Sequence, residues 1–289
     1  MTDILTLRTR IKAPAEQVFA ALTGSSALQS WLAEKAEVDL DAGRYTFGGR
    51  FTPQGGGGQR LTAAEPGRRL AFEWTLDDQP TTVTLDLTST DLGDTALVLT
   101  QDHTPTLDEL MNPPGRRDGL HAMHTFWPLA LANLAAYVEG RELTPKADFS
   151  PTRSLKINVT FSVDATPADA FASLIDPLAV ERWFGWKPEI EARPGGRMAV
   201  GVDGRIFEFE PGRRLGYGDD EGSIVHWELE GSGGKTHLTF VQSGYTETDD
   251  AARHEAGWLA AFAELKRLHE LGDDWQPLIT ELPAKSDDE

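Results

Sequence analysis

The sequence predicts an α+β protein built as two diverged copies of one domain, each a curved antiparallel sheet wrapped around a long C-terminal helix. Three observations carry this. The same order of strand-like and helix-like stretches is written twice along 289 residues, a length that suits two domains with separate cores. The copies differ in length only at loops, as duplicated domains do. Each copy ends in a helical apolar stripe, which needs the dry face of a sheet to cover it.

The repeat is legible residue by residue. Ala13-Pro14-Ala15-Glu16-Gln17-Val18-Phe19-Ala20-Ala21-Leu22 lies against Ala165-Thr166-Pro167-Ala168-Asp169-Ala170-Phe171-Ala172-Ser173-Leu174. Trp31 then matches Trp183, Gly43-Arg44-Tyr45 matches Gly196-Arg197-Met198, and Pro66-Gly67-Arg68-Arg69-Leu70 matches Pro211-Gly212-Arg213-Arg214-Leu215. Val83, Leu85, Leu87, Leu97, Leu99 and Gln101 correspond to Val225, Trp227, Leu229, Leu238, Phe240 and Gln242; Trp127 and Leu134 correspond to Trp258 and Leu265. The longer loops of the first copy fall at Gly55–Gly58, after Trp74, and at Thr104–Gly119. The expected division is a first domain over 1–141, a linker over 142–152, a second domain over 153–272 and an acidic tail over 273–289.

The elements follow in order. Ile4–Ile11 and Leu155–Val163 alternate with period two, as half-buried strands do. Ala13-Pro14 and Thr166-Pro167 then supply a proline where a helix starts, and two short helices end near Trp31 and Trp183. Six strands are expected next in each copy. In the second, Asp203-Gly204 suits a tight hairpin turn between Arg197–Val202 and Arg205–Glu210. Gly231-Ser232-Gly233-Gly234 separates Ser223–Glu230 from Lys235–Gln242. The last helices are expected at about Arg116–Glu139 and about Thr248–Leu271. Trp258, Phe262, Leu265 and Leu268 form one stripe, and Leu120, Met123, Trp127, Leu131, Leu134 and Val138 the other. Pro128 removes a backbone donor inside the first of these helices and should kink it.

These residues resemble the SRPBCC (START/birch-pollen-allergen-like) superfamily, and within it the branch related to the activator of the large heat-shock chaperone ATPase. The likeness rests on the Ala-Pro-Ala-Glu-Gln-Val-Phe-Ala-Ala-Leu stretch, the Trp after the second short helix, the Pro-Gly-Arg-Arg-Leu strand start, and His254-Glu255-Ala256-Gly257-Trp258 opening the last helix. It implies a helix-grip fold with an apolar cavity beneath the long helix. It does not fix an activity, because the framework hosts lipid carriers, cyclases, self-resistance proteins and chaperone partners. The first copy departs from the pattern at Thr125-Phe126-Trp127-Pro128.

Composition narrows the function. A net charge of −19 argues against nucleic acid and against an anionic membrane surface, both of which need a basic stripe. The charge is spread over both copies, with 12 basic and 19 acidic residues in 1–145 and 15 and 27 in 146–289. There is no cysteine, so no disulfide, thiolate metal site or thiol nucleophile exists. With no run of 18 apolar residues and no signal-like start, the expected location is the cytoplasm.

The expected ligand pocket is lined by Trp31, Phe72, Trp74, His121, His124 and Trp127 in the first copy and by Trp183, Tyr217, Trp227, His254 and Trp258 in the second. Large rings fill cores as readily as they line pockets, so Trp74, Trp127, Trp227 and Trp258, where helix and sheet should splay, carry most of the expectation. His103, His121 and His124 suit a polar rim better than a three-imidazole metal site, since no carboxylate spacing supports the metal. His254 with Glu255, or Asp102 with His103, could serve as a proton-transfer pair if buried beside the pocket, although adjacent helical positions point apart and keep 254 and 255 from converging on one atom. The leading function is therefore binding of an apolar or aromatic small molecule or lipid, without cofactor or catalysis. The first alternative is a chaperone co-factor or protein-interaction module, and the second a cyclase- or hydrolase-like enzyme using pocket histidines. Gly55–Gly58 is expected as a flexible hairpin tip, and the Arg68-Arg69 and Arg213-Arg214 pairs as partners of acidic neighbours on the wet face of the sheet.

Overall fold

The computed structural model describes residues 3–105, 109, 119–150, 154–246 and 251–278. The chain divides into two compact units. The first comprises residues 1–150 together with 276–289, the second residues 151–275.

In the first unit, strand β1 (Asp3–Ile11) leads into helices α1 (Ala15–Thr23) and α2 (Ser25–Trp31). Strands β2 (Lys35–Asp39), β3 (Arg44–Gly48), β4 (Arg60–Glu65), β5 (Arg69–Leu76), β6 (Gln79–Ser89) and β7 (Thr95–Thr104) follow, and helix α3 (Met123–Val138) closes the core. The main sheet is antiparallel in the order β1-β7-β6-β5-β4, with β2 and β3 paired apart from it. Gln59 bridges the gap, because its side-chain amide pairs both ways with the Phe47 backbone, at 3.2 and 3.1 Å, and stands in for a missing strand rung. The glycine run is a packed knot and not a free hairpin tip. Gly56 bridges Gly48, so closely that a Cβ on Gly56 would lie 2.6 Å from the Gly48 Cα, and Gly57 donates to the Phe47 carbonyl.

In the second unit, β8 (Ile157–Val163) precedes α4 (Pro167–Ile175) and α5 (Pro177–Phe184). Thr166 and Asp176 cap these helices by accepting from the Asp169 and Leu178 N–H groups. Strands β9 (Arg197–Val200), β10 (Val202–Glu210), β11 (Arg214–Gly218), β12 (Ile224–Ser232) and β13 (Lys235–Ser243) complete one six-stranded sheet, order β8-β13-β12-β11-β10-β9, over helix α6 (Ala252–Leu271). Five strands therefore follow the short helices here instead of six, and the counterpart of β2 shrinks to an isolated Ile190–Met198 bridge.

This is the expected helix-grip plan in both units, with two short helices between the first strand and the rest of the sheet. Three further expectations are corrected. The β9–β10 turn falls at Gly201 (φ +71°), and Asp203 and Gly204 pair inside the strand opposite Ala199 and Met198. The first long helix starts at Met123, after a 3-10 turn over Gly119–Ala122; the expected start at Arg116 and that at Thr248 lie outside the described residues. Residues 142–150, read as a linker, belong to the first unit, as does the segment from Gln276. Leu278 is 2% exposed and its carbonyl accepts from the Arg8 N–H on the edge of β1 at 3.0 Å. The arginines behave as expected: Arg69 meets Asp86 at 2.6 Å and Arg214 meets Glu228 at 3.2 Å, both on the wet face.

Candidate functional site

The space between helix and sheet is built from rings. In the first unit Trp74, Phe126 and Trp127 touch edge to face at centroid distances of 4.9–6.2 Å, and Phe47, Phe72 and Tyr45 extend the cluster along the sheet. In the second unit Trp227, Phe240, Trp258 and Phe262 form a closed set at 4.5–6.2 Å, joined by Trp183. The rings are buried: Trp74 and Trp127 are 1% exposed and Trp258 4%. Edge-to-face contact places ring hydrogens on neighbouring π faces and fixes the packing.

Several buried hydrogen bonds repeat between the copies, although most of the core rings do not. Trp127 donates its indole N–H to Gln101 Oε1, and Trp258 donates to Gln242 Oε1. Gln101 passes the chain on to Thr81, whose hydroxyl donates to the Trp74 carbonyl. Trp31 and Trp183 hang on the carbonyls of Ala21 and Ser173, and Thr95 and Thr236 donate to those of Ala13 and Ala165. Tyr45 and Tyr217 donate to Leu22 and Val200; burial pushes both phenols well above their usual pKa.

The histidines are not gathered. His121 lies in the 3-10 turn and His124 in the first turn of α3, while His254 opens α6 with its ring 5.3 Å from Tyr245. His121 Nε2 is buried without a hydrogen-bond partner among the described residues. His103, next to last in β7, holds a left-handed conformation (φ +55°). Among the described residues no group of three or more His, Asp or Glu side chains is placed to hold a metal ion. No helix of those residues is long and apolar enough to cross a membrane.

One hollow of about 10 Å³ lies in the first unit, walled by Trp31 and Leu32 at the end of α2 and by Phe126, Leu129, Ala130 and Asn133 along α3. Its roof is the segment after that helix. Asn133 pairs through its amide with both the N–H and the C=O of Thr144 at 2.9 Å. Lys146 Nζ donates to the carbonyls of Gln29, Ser30 and Ala33, capping α2, and sits over the Phe51 ring; burial holds its pKa below the usual lysine value. Phe149 packs on Phe126 at 6.2 Å and its N–H bonds the Arg50 carbonyl at 2.6 Å. Sequence reading missed this strap, because its Pro, Lys and Asp content has linker character and nothing local marks Lys146 as a helix cap.

The sequence matches the family described as Activator of Hsp90 ATPase homolog 1-like protein over residues 12–139 and again over 164–270. The chain belongs to that family. Each match covers one helix-grip unit, so the family domain is present twice. Among solved structures, a Mesorhizobium loti protein is 23% identical and similar over 41% of this chain and 98% of its own (TM-score 0.36). CalU16 from Micromonospora echinospora is 24% identical over 49% of this chain and 77% of its own (TM-score 0.38). The Aha1 dimer from Colwellia psychrerythraea is 20% identical over 41% and 98% (TM-score 0.36). No curated protein matches the sequence.

Proposed function

We propose that the chain is a protein-interaction module of the Hsp90-ATPase activator type, binding a chaperone ATPase or its client with its outer surfaces. One observation carries the choice: the indoles expected to line pockets, Trp74 and Trp127 in one unit and Trp227 and Trp258 in the other, spend their faces on one another. A pocket for a drug-sized ligand takes about 300–1,000 Å³, so the 10 Å³ hollow beneath the strap is not one. Membership of the activator family supports the reading. The reading implies a cytoplasmic site of action. The test is ATPase turnover of an Hsp90-class chaperone with and without the full chain, alongside titration calorimetry of the pair. Stimulated turnover with saturable binding supports the proposal, and neither effect at excess chain overturns it.

A second reading, an apolar or aromatic small molecule held between helix and sheet, is favoured by the mainly aromatic and aliphatic walls of that interior. It requires α3 or α6 to part from the sheet. Thermal-shift screening with lipids and aromatic compounds tests it, and a raised midpoint that Trp258→Ala abolishes supports it.

A further inference from the structure

The duplication supplies an internal comparison on the outer face of the sheet, the side turned away from the long helix. Both copies carry the same β-bulge: the β4–β5 register slips at Thr62 and the β10–β11 register slips at Phe207. A bulge of this kind sets two consecutive residues opposite one residue of the neighbouring strand. In the first unit these are Thr62 and Ala63 against Ala71; in the second they are Phe207 and Glu208 against Gly216. The backbone is shared and the side chains are not. Around the bulge the first unit turns Thr62, Thr82, Thr84 and Thr100 outward, ordinary residues for the wet face of a strand. At the same register positions the second unit has Phe207, Ile224, His226 and Val241.

Phe207 is 55% exposed, whereas Ile206 beside it is 1% exposed and faces the core. Gly216 permits that placement, because a Cβ there would lie 2.6 Å from the Phe207 ring and 3.0 Å from the Glu208 Cβ. The ring lies across β11 and meets the His226 ring edge to face at 5.3 Å. It is backed by Gly216 and open to solvent on its other side. A large exposed ring continuous with further apolar side chains marks an interaction site. Glu208 is the carboxylate next to it. Its Oε2 lies 3.5 Å from His226 Nδ1, and no arginine or lysine among the described residues pairs with it. The other carboxylates of this face are answered, Glu228 by Arg214 at 3.2 Å and Glu210 by Arg213 at 3.8 Å. Arg205, on the same face, is committed to the Gly195 carbonyl at 3.2 Å.

We propose that Phe207 and Glu208 form a recognition site for an arginine side chain of a partner protein, on the outer sheet face of the second unit. The guanidinium plane lies on the open side of the Phe207 ring while its N–H groups donate to the Glu208 carboxylate. Stacking on a ring and a planar fork onto a carboxylate are contacts that a guanidinium makes together and an ammonium does not. Ile224 and Val241 extend the apolar surface past His226 for the residues flanking that arginine. The chain's charge of −19 draws a basic partner at long range. The bulge is what brings the two groups together, since in a regular strand consecutive side chains point to opposite faces. This rests on the protein-interaction reading and names the surface it uses.

The test is titration of the full chain with the peptide Ac-Val-Thr-Arg-Thr-Val-NH2, which when extended puts its arginine and both valines on one face. Calorimetry measures the binding, and the imidazole proton signals of His226 in NMR report its place. Saturable binding that moves those signals is expected. Phe207→Thr and Glu208→Ala restore the residues of the first unit, and each should weaken binding roughly tenfold or more. Exchanging the arginine for citrulline, which keeps the shape and removes the charge, should do the same. Both protein variants should keep the parent unfolding midpoint, because the first unit carries those residues on the same bulge. No binding, or binding indifferent to both substitutions, overturns the proposal. So does a citrulline peptide that binds as tightly as the arginine peptide, or self-association of the chain that Phe207→Thr abolishes. The two readings fail separately. Peptide binding without chaperone stimulation leaves the arginine site standing, and chaperone stimulation without peptide binding removes the site alone.

Discussion

The indole N–H of Trp258 donates to Gln242 Oε1 across 2.6 Å inside an otherwise apolar interior, and Trp127 repeats the bond to Gln101 at the same length. A glutamine on the last strand and a tryptophan on the last helix thereby tie helix to sheet in both units. The bond ties the helix's rotation about its axis to the strand beneath it.

Replacing Gln242 by Leu leaves that indole N–H buried without an acceptor and should cost about 1–3 kcal/mol. Trp258→Phe in the same background should then cost less than it does alone. Urea unfolding of the full chain, followed through the transition of the second unit, measures the four corners of the cycle. Strictly additive costs would show that the pair is not coupled.

Gly201 holds φ +71° beneath Trp258, and a Cβ there would press into the indole ring. Gly43 holds φ +68° with nothing within 4 Å of such a Cβ. Gly43→Ala should therefore lose only the left-handed penalty, about 1–2 kcal/mol. Gly201→Ala should lose that and an overpacking penalty of about 1–3 kcal/mol besides. Equal costs from chemical denaturation would remove Trp258 from the explanation.

Lys146 closes the strap of the first unit by capping α2, and Asn133 clamps the Thr144 backbone. Lys146→Ala should destabilise the first unit by about 1.5–3 kcal/mol, the range for hydrogen bonds to a charged group. It should also open residues 142–150 to limited proteolysis. Asn133→Leu should do the same through the other end. A strap as resistant as the parent's in both variants would mean that neither contact holds it.

His269 on α6 faces the Ser173 hydroxyl at 3.1 Å. Burial lowers its pKa below 6.5, against a smaller upward pull from Asp169 and Asp164. The folded unit then binds fewer protons than the unfolded chain, so stability rises with pH in this window. The contribution is present in full above about pH 6.5 and is lost as pH falls through the folded value. Glu264, raised by burial, acts in the opposite sense from its ordinary value of 4.5 upward. The unfolding midpoint of the second unit should fall between about pH 7.5 and 5.5, on either side of the imidazole value, and His269→Gln should flatten that fall. An unchanged slope in the variant would assign the acid sensitivity elsewhere.

Fold and duplication were legible because they depend on residues that recur in kind. Trp31 and Trp183 hang on equivalent carbonyls of α1 and α4, so their spacing in sequence reports real equivalence. The Trp–Gln bond was half legible: both partners align, but their contact joins elements 26 and 16 residues apart, and no local signal announces it. The β9–β10 turn was misread because Asp203-Gly204 has better turn chemistry than Gly201 in isolation. Asp203 instead pairs with Arg197 across the ladder, and a Cβ at Gly204 would run into the Gly218 backbone. The strap was misread for a similar reason, since its order comes from Asn133 and the end of α2 and not from its own composition.

The bond between Arg8 and Leu278 joins two positions 270 residues apart in the numbering, with the whole second unit between them. A ribosome reads out Arg8 before the whole of residues 151–275, and Leu278 after them. The second unit therefore has its entire sequence available before the first unit receives the segment that pairs with its edge strand. Of the two units, the one whose synthesis begins first is the one completed second.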